Sequence, residues 1–389
     1  MQRSGKETSL MHKPIYLDYN GTTPHDPRVI EAMQPFLEEE FGNPSSSHWY
    51  GTKPKQAVEH ARGQVAACLG CRPGEILFTS GGTESNNHAL KSIAGNLFAK
   101  GTHIITSQIE HPAILEVCRF MEDHGFTVTY LPVDTGGRVS VSDVEAAVTP
   151  ATIMISIMHA NNEVGTIQPI REIATIATNH QILMHTDAAQ SIGKISADVD
   201  DLRVDLLSLA GHKLYAPKGI GALYIRRSVN ASIFCHGAGQ EMGRRGGTEN
   251  VLEIVDLGAA CDIARKELDR NRAHMEQMRN RLEAGLTGSI SDVRVNGHPQ
   301  WRLPNTLSIS FFGLEANRFL DEIGPEIAAS AGAACHADAI EVSHVLQAMN
   351  VPEDWAKGTI RLTTGQMTPQ RDIDRAVDVI STVVGKLRG

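Results

Sequence analysis

The alternation of two sequence patterns constrains the fold of this chain more than any other feature. Through the first two thirds of the 389 residues, short apolar runs alternate with stretches of helical periodicity. The apolar runs include Glu75–Thr79, His103–Ser107, Thr127–Pro132, Thr152–His159, Ile182–Asp187, Val204–Ala210 and Ala222–Arg226, and the helical stretches include Glu84–Phe98, Pro112–His124, Ser142–Val148 and Ile170–Thr178. This alternation is typical of βαβ units, so we predict an α/β fold with a mostly parallel central sheet.

A long charged helical stretch, Ile254–Gly285, follows the alternating part. Beyond it the sequence predicts one strand and three helices, at Leu307–Phe312, Ala316–Ile323, Val342–Met349 and Gln370–Leu387. Because long charged helices commonly link domains, we place a boundary near residue 265. We expect a large domain at 25–265, a smaller α+β domain at 266–389, and an N-terminal segment, 1–24, that packs with the small domain.

Charge and composition argue against several classes of function. Thirty-six Lys and Arg against 45 Asp and Glu give a net charge of −9. This balance argues against a nucleic-acid binder and against a protein of anionic membrane surfaces. No apolar run approaches the roughly 18 residues of a membrane-spanning helix, and the first 13 residues lack a secretory signal. We therefore expect a cytoplasmic protein.

The six cysteines are scattered and do not form a disulfide framework. Cys68 and Cys71 have C-x-x-C spacing, but no second Cys or His pair follows at zinc spacing. We therefore expect this pair to be structural and predict no metal site.

Three strand ends carry unusual chemistry, and ligands of open α/β sheets bind beyond the carboxyl ends of strands. Gly82 and Thr83 lead from one strand into a helix, whose free N–H groups attract a phosphate; the alternative is an ordinary turn with a Thr or Ser cap. Asp187 ends a second strand, where it either faces a pyridinium nitrogen or caps a helix. Lys213 follows a third strand, as either a desolvated lysine that forms Schiff bases or an exposed loop lysine.

Together, a phosphate site, a strand-end acid and a lysine indicate pyridoxal 5′-phosphate better than any other cofactor. A further segment, Ala331–Asp338, places Cys335 among small residues. Such a segment suggests a mobile loop, which favours a reactive thiol over a buried structural cysteine.

On these motifs the chain resembles the cysteine desulfurases and the related selenocysteine lyases, in the class-V aminotransferase group of fold-type I pyridoxal-phosphate enzymes. The resemblance extends from Tyr16–Pro24 to Thr359–Thr363 and includes Gly42–Ser46, Gly81–Ser85, Glu110–His111, Asn161–Gly165 and Gly211–Lys213. It implies an aspartate-aminotransferase-like large domain, the cofactor pyridoxal 5′-phosphate, and a homodimer with composite active sites.

The resemblance also implies which residues hold the cofactor's phosphate and aldehyde. Lys213 would bond the aldehyde. Gly82, Thr83 and His212 would hold the phosphate, and Thr248 would reach the phosphate bound in the partner subunit.

The same resemblance assigns residues to the ring and the substrate. His111 would stack on the pyridine ring and accept a proton, and Asp187 would pair with the ring nitrogen. Gln190 and Asn162 would contact the side of the ring hydroxyl, where Asn162 would also meet the substrate. Arg361 would bind the substrate carboxylate through a bidentate ion pair.

The implied reaction converts L-cysteine to L-alanine. Lys213 would remove the Cα proton, and Cys335 would take the sulfur as a persulfide for transfer to an acceptor protein, in iron–sulfur cluster, thio-cofactor or tRNA supply. The alternative is a selenocysteine lyase, which releases selenium and L-alanine. A transaminase of the same fold and a non-enzymatic cofactor-binding module are further alternatives, but neither needs both Lys213 and Cys335.

Two positions depart from the family pattern. Ala210 stands where many desulfurases have a serine hydroxyl near the phosphate, and Met242 stands where the family usually has arginine. Arg244 and Arg245 are candidates to compensate for the missing arginine. These departures bear on the choice between cysteine and selenocysteine rather than on the cofactor.

Overall fold

The computed structural model of the chain describes residues 13–331, 333–336 and 339–389, with side chains outside 332–341. The helices are α1 (Pro27–Glu38), α2 (Trp49–Leu69), α3 (Gly82–Leu97), α4 (Pro112–Glu122), α5 (Val141–Ala147), α6 (Ile170–Asn179), α7 (Val199–Leu202), α8 (Val251–Ser289), α9 (Ala316–Ile323), α10 (His344–Ala348), α11 (Glu353–Ala356) and α12 (Gln370–Arg388). The strands are β1 (Ile15–Tyr16), β2 (Ile76–Thr79), β3 (His103–Ser107), β4 (Thr127–Leu131), β5 (Thr152–Ser156), β6 (Leu183–Asp187), β7 (Leu206–Ala210), β8 (Gly221–Ile225), β9 (Val293–Asn296), β10 (Thr306–Phe311), β11 (Ile327–Ala328), β12 (Ser330–Ala331), β13 (Ala333–His336), β14 (Ala339–Val342) and β15 (Thr359–Thr363).

Seven strands form the central sheet, in the order β2-β8-β7-β6-β5-β3-β4. The pairs from β7 to β4 are parallel, and only β8 runs antiparallel to its two neighbours. Every residue of β3, β5, β7 and β8 is buried, as expected where both faces of a parallel sheet are covered. The predicted α/β class with a mostly parallel sheet is confirmed.

A second, antiparallel sheet, in the order β12-β15-β10-β9, belongs to a separate hydrophobic core. The long helix α8 packs into both cores, through Leu257 near its start and Leu282 near its end. Because α8 runs unbroken across residue 265, the division of the chain at that point stays a prediction.

The N-terminal segment crosses between the two sheets. β1 pairs in parallel with β11, and Leu17 is buried in the second core. Asn20 and Gly21 then lie on the wall of a cavity at the carboxyl edge of the central sheet. This segment therefore contributes directly to the candidate site.

The segment around Cys335 differs from the predicted loop. β13 and β14 pair in antiparallel fashion with each other, with Cys335 opposite Ile340. Backbone hydrogen bonds between the two strands account for the difference, because small residues do not prevent local strand pairing. The side chain of Cys335 lies outside the described residues.

In the part of the chain that the structure describes, no helix combines the length and the apolar character needed to cross a membrane.

Candidate active site

A cavity of about 300 Å³ opens where β6 and β7 end. Its walls come from the N-terminal segment, from the first turns of α3 and α4, and from the residues that follow β5, β6 and β7. The lining residues are Asn20, Gly21, Gly82, Thr83, Asn86, His111, Ala113, Met158, Ala160, Asn162, Asp187, Ala189, Gln190, Ala210, His212, Lys213 and Arg361. The location agrees with the rule that ligands of α/β sheets bind at the carboxyl ends of strands.

The first turn of α3 forms one end of the cavity. Gly81 precedes the helix with φ 143°, a conformation that glycine adopts readily, and it offers no side-chain cap. The first N–H groups of a helix have no partner within the helix, so those of Gly82 and Thr83 are available to an anion. A Cβ atom at Gly82 would lie 3.4 Å from the Cβ of Ala210, so a larger residue would narrow this end.

Asp187 ends β6 with its carboxylate fixed from two sides. Oδ2 accepts a 2.7 Å hydrogen bond from Asn86 Nδ2, and Oδ1 accepts a 2.9 Å hydrogen bond from the N–H of Ala189. Asn86 Oδ1 is buried and has no partner among the described residues. The carboxylate is therefore held in one orientation at the cavity wall.

Lys213 follows β7 and reaches back to the N-terminal segment. Its Nζ donates to the carbonyl oxygens of Asn20, at 2.6 Å, and Gly21, at 2.7 Å. Burial, assisted by the positive charge of Arg361, lowers the pKa of Lys213 to about 8. At pH 7 roughly a tenth of the side chain is therefore an uncharged, nucleophilic amine, far more than at the ordinary lysine pKa of about 10.4.

Two histidines face the cavity as neutral rings. His111 precedes α4, and its Nδ1 accepts a hydrogen bond from the N–H of Ala113 at 3.1 Å. Its neutral ring therefore carries the proton on Nε2, and desolvation keeps its pKa below the ordinary value. Desolvation likewise lowers the pKa of His212 to about 4, and Thr22 Oγ1 lies 3.3 Å from its Nδ1.

Arg361 projects from β15 into the same space. Its Nη2 donates to Asp18 Oδ1 at 2.7 Å and to Ser330 Oγ at 3.1 Å, and its Nη1 donates to the carbonyl oxygen of Asn162 at 3.0 Å. Its Nε is buried without a partner among the described residues. The guanidinium is thus fixed at the cavity and keeps a donor for an incoming carboxylate.

These groups fit pyridoxal 5′-phosphate. The uncapped start of α3 suits the phosphate, the fixed carboxylate of Asp187 suits a ring nitrogen, and Lys213 offers an amine for an aldehyde. Among the described residues, no group of three or more His, Cys, Asp or Glu side chains has the arrangement of a metal site. Cys68 lies in α2 and Cys71 just after it, and both pack against the core.

The structure brings most of the predicted site residues to this one cavity. Those on its walls are Gly82, Thr83, His111, Asn162, Asp187, Gln190, His212, Lys213 and Arg361. Thr248 is exposed and is not on these walls. Cys335 cannot be placed, because its side chain lies outside the described residues. The roles of all these residues stay predictions.

The structure shows what surrounds the two residues that depart from the family pattern. Ala210 lies on the cavity wall beside Gly82. Met242 is 52% exposed and has the left-handed φ of 58°. Arg245, one of the two candidates to compensate for it, donates through Nε to Glu84 Oε1 at 2.7 Å, in the first turn of α3. Arg245 is thus already paired with an acid next to Thr83.

Sequence reasoning did not identify Asn20, Asn86 or Lys194 as parts of the site. Asn86 directly follows the Gly81–Ser85 motif, so its position in the predicted helix could have indicated that it belongs to the site. Asn20 comes from the other end of the chain, and its contacts depend on the pairing of β1 with β11. Lys194 is a buried lysine outside every motif, and only the folded structure reveals its burial.

Comparison with known proteins supports this interpretation of the site. Residues 15–376 match the family model for class-V aminotransferases. Cysteine desulfurase IscS of Dictyoglomus turgidum is 47% identical over 97% of this chain and 96% of its own length. The human cysteine desulfurase is 42% identical over 98% of this chain and 84% of its own length.

Comparison with solved structures also places the chain near cysteine-binding and NifS-like proteins. A NifS-like protein superposes with a TM-score of 0.91 at 38% identity, covering 96% of this chain and all of its own. SspA, solved in complex with cysteine, superposes with a TM-score of 0.80 at 38% identity, covering 91% of this chain and all of its own. The family match over nearly the whole chain and the cavity geometry lead to one conclusion: this chain belongs to the class-V aminotransferase family of pyridoxal-phosphate enzymes and, within it, to the cysteine desulfurases.

Proposed function

We propose that the cavity removes sulfur from L-cysteine, releases L-alanine, and leaves the sulfur on Cys335 as a persulfide. The step balances without an external oxidant: the enzyme thiol and cysteine become an enzyme persulfide and alanine. The observation that carries the proposal is the meeting of Asp187, Lys213 and Arg361 around one cavity of about 300 Å³.

Arg361 gives the site its preference for an amino acid. A guanidinium can bind a carboxylate through two parallel hydrogen bonds, which fixes the direction of the substrate as well as its charge. The neighbouring carbonyl oxygen of Asn162 and the carboxylate of Asp18 keep the guanidinium in place. Lys213 lines the same cavity, where its amine can meet the substrate amino group.

Pyridoxal 5′-phosphate, when bound, supplies an electron sink for the substrate Cα. Asp187 keeps a proton on the ring nitrogen, because its fixed carboxylate favours a positive partner. Lys213, with its lowered pKa, accepts the Cα proton at Nζ. His111 carries its proton on Nε2 and offers this N–H as a hydrogen-bond donor, since its Nδ1 is occupied by the N–H of Ala113.

We infer further that the protein works as a homodimer. Phe41, Trp49 and Tyr50 form an aromatic patch: the rings of Phe41 and Tyr50 are stacked at 5.6 Å, and those of Trp49 and Tyr50 meet edge to face at 5.0 Å. Phe41 is 75% and Trp49 66% exposed, which is unusual for side chains of this size in a monomer. The exposed Thr248 is free to complete the cavity of a second copy.

A larger groove supports transfer of the sulfur to an acceptor protein. It measures about 890 Å³, shares His111, Asn162 and Arg361 with the cavity, and extends outward to Arg119 and Tyr130. A groove that joins the reaction site to the surface gives a macromolecule access without opening the fold. We propose the cytoplasm as the place of this transfer.

Alanine release from L-cysteine and from L-selenocysteine, measured side by side, tests the proposal. We expect alanine from L-cysteine with the wild type and none with Lys213→Ala. Alanine from L-selenocysteine alone would replace the desulfurase with a selenocysteine lyase. Alanine from neither substrate, with the cofactor bound, would contradict both activities and favour a transaminase.

A further inference from the structure

Lys194 is a buried lysine that the proposed reaction does not use. It is 3% exposed and lies in the turn that follows β6. Its Nζ donates to Gln190 Oε1 at 2.9 Å and to Asn20 Oδ1 at 3.4 Å. Both partners are neutral amide oxygens, whereas a buried ammonium ordinarily requires a carboxylate.

The number of partners indicates an uncharged amine. A neutral lysine has two N–H donors, which match the two acceptors, whereas an ammonium would bury a third donor. The charged groups that face Lys194 are Lys213 and Arg361, and both oppose a further positive charge. Burial, with these two neighbours, lowers the pKa of Lys194 to about 7.

The contact with Lys194 determines how the amide of Gln190 is oriented. Because Oε1 accepts from Lys194, Nε2 must face the other way, where it donates to the carbonyl oxygen of Asn20 at 3.0 Å. That same carbonyl oxygen holds Lys213 Nζ. Gln190 lines the cavity, so its second Nε2–H is the group that it offers to a ligand.

Without Lys194, the flipped orientation of the amide would be opposed only by the loss of the hydrogen bond from Nε2 to the Asn20 carbonyl oxygen. In the flipped orientation the oxygen would face that carbonyl oxygen, and it would also face the cavity and repel an oxygen of the ligand. Lys194 strengthens this preference, because in the flipped state the N–H groups of Gln190 would meet only the lone pair of Nζ, and one N–H of Lys194 would lose its acceptor.

We propose that Lys194 is a positioning residue, an uncharged amine that locks the amide of Gln190 so that the cavity receives an N–H donor for the ring oxygen of the cofactor. The inference rests on the proposed function, which places that oxygen beside Gln190. Lys194 itself touches neither cofactor nor substrate and acts through Gln190.

A double-mutant cycle tests this role through cofactor binding, without any measurement of activity. Cofactor-free protein is titrated with pyridoxal 5′-phosphate for the wild type, Lys194→Met, Gln190→Leu and the double variant. We expect each single variant to raise Kd roughly fivefold, the loss of one ordinary hydrogen bond. Because Lys194 acts through Gln190, the double variant is expected to bind no more weakly than Gln190→Leu alone.

The absorbance of the bound cofactor gives a second readout. Loss of the donor to the ring oxygen destabilises the more anionic form, so the pH midpoint of the absorbance change should rise in Lys194→Met and Gln190→Leu alike. The exposed Lys100, which donates to the carbonyl oxygen of Gln181, supplies the control variant Lys100→Met. Additive losses of affinity, or an unchanged midpoint in Lys194→Met, would overturn the proposal.

A measurement on the wild type decides the matter if Lys194→Met does not fold. Carbon-13 NMR of the lysine Cε atoms should show Lys194 titrating near pH 7, and a midpoint at the ordinary lysine value of about 10.4 would overturn the uncharged amine. The outcomes also separate this inference from the proposed function. If wild type and variants bind the cofactor equally, only the role of Lys194 fails, whereas absence of binding in the wild type contradicts the proposed function.

Discussion

Arg361 Nη2 lies 2.7 Å from Asp18 Oδ1, so the N-terminal segment and the last strand of the second sheet are joined at the cavity. Asp18 also accepts a hydrogen bond from Ser330 Oγ at 2.8 Å. The guanidinium proposed to bind the substrate carboxylate is therefore oriented before any substrate arrives. Such preorganisation reduces the conformational entropy lost on binding.

Replacing Arg361 with lysine should raise KM for L-cysteine at least about tenfold. Lysine keeps the charge but loses the planar pair of donors, and it cannot hold Asp18 and a substrate carboxylate at once. Steady-state kinetics of Arg361→Lys check this. The control is Arg281→Lys, in an exposed pair with Asp374 that lies away from the cavity. An unchanged KM in Arg361→Lys would show that the carboxylate binds elsewhere.

The reactivity of Lys213 in the cofactor-free protein should follow a pKa of about 8. Below that pH the side chain is an ammonium and does not react, and above it the free amine acylates rapidly. Pulse acetylation over a range of pH, read by mass spectrometry, gives the midpoint for each lysine. Exposed Lys100 serves as the internal control. A midpoint for Lys213 near the ordinary value of about 10.4 would contradict its desolvation.

The stability of the fold should decrease as the pH falls from about 6.5 towards 3. Burial lowers the pKa of His185 to about 3, and its ring lies between Ser156 Oγ at 2.8 Å and Ser208 Oγ at 3.0 Å. Between these pH values the unfolded chain therefore binds a proton at His185 that the folded chain does not bind. Stability is complete above the unfolded pKa of about 6.5 and is lost on acidification, by roughly 1.5 kcal/mol between pH 6.5 and 5.

Thermal unfolding of His185→Gln measures this contribution. The variant should show a smaller change of Tm between pH 6.5 and 5 than the wild type, even if its Tm at pH 7 is lower. His25→Gln, at an exposed histidine, is the matched control and should keep the slope of the wild type. Equal slopes for all three proteins would contradict a neutral buried His185.

The aromatic patch formed by Phe41, Trp49 and Tyr50 should be required for dimerisation. Phe41→Asp introduces a charge into it and should shift the protein towards the monomer in sedimentation velocity experiments. Trp301→Asp is the control, because Trp301 is 51% exposed but carries the guanidinium of Arg138 on its ring. A wild type that is monomeric at micromolar concentration, or a Phe41→Asp variant that stays dimeric, would contradict the inference.

Much of the fold and of the cofactor site could be predicted from local sequence. Four strands of the central sheet, β3, β5, β7 and β8, are mostly apolar because every residue in them is buried. Two of the predicted site residues lie at strand ends, since Asp187 is the last residue of β6 and Lys213 comes shortly after β7. The sequence at the end of such a strand therefore predicts both the strand and the location of the candidate residue beside it. The start of α3 is two residues earlier than predicted, because the uncapped Gly82 belongs to the helix.

What could not be predicted depends on contacts between distant parts of the chain. Asn20 meets Lys213, Gln190 and Lys194 only after the N-terminal segment has crossed to the carboxyl edge of the central sheet. The burial of Lys194 likewise has no local signature, because a lysine in a turn is ordinarily solvated.

Mass spectrometry of the cysteine persulfide tests the central claim most directly. The wild type is incubated with L-cysteine, its thiols are blocked by alkylation, and the peptide that contains Cys335 is examined for one extra sulfur atom. We predict that the extra sulfur lies on Cys335 and is released by a reducing agent, and that Cys335→Ser binds the cofactor but yields neither persulfide nor alanine. Alanine formation by Cys335→Ser at the rate of the wild type, or a persulfide on the exposed Cys235 instead, would contradict the account.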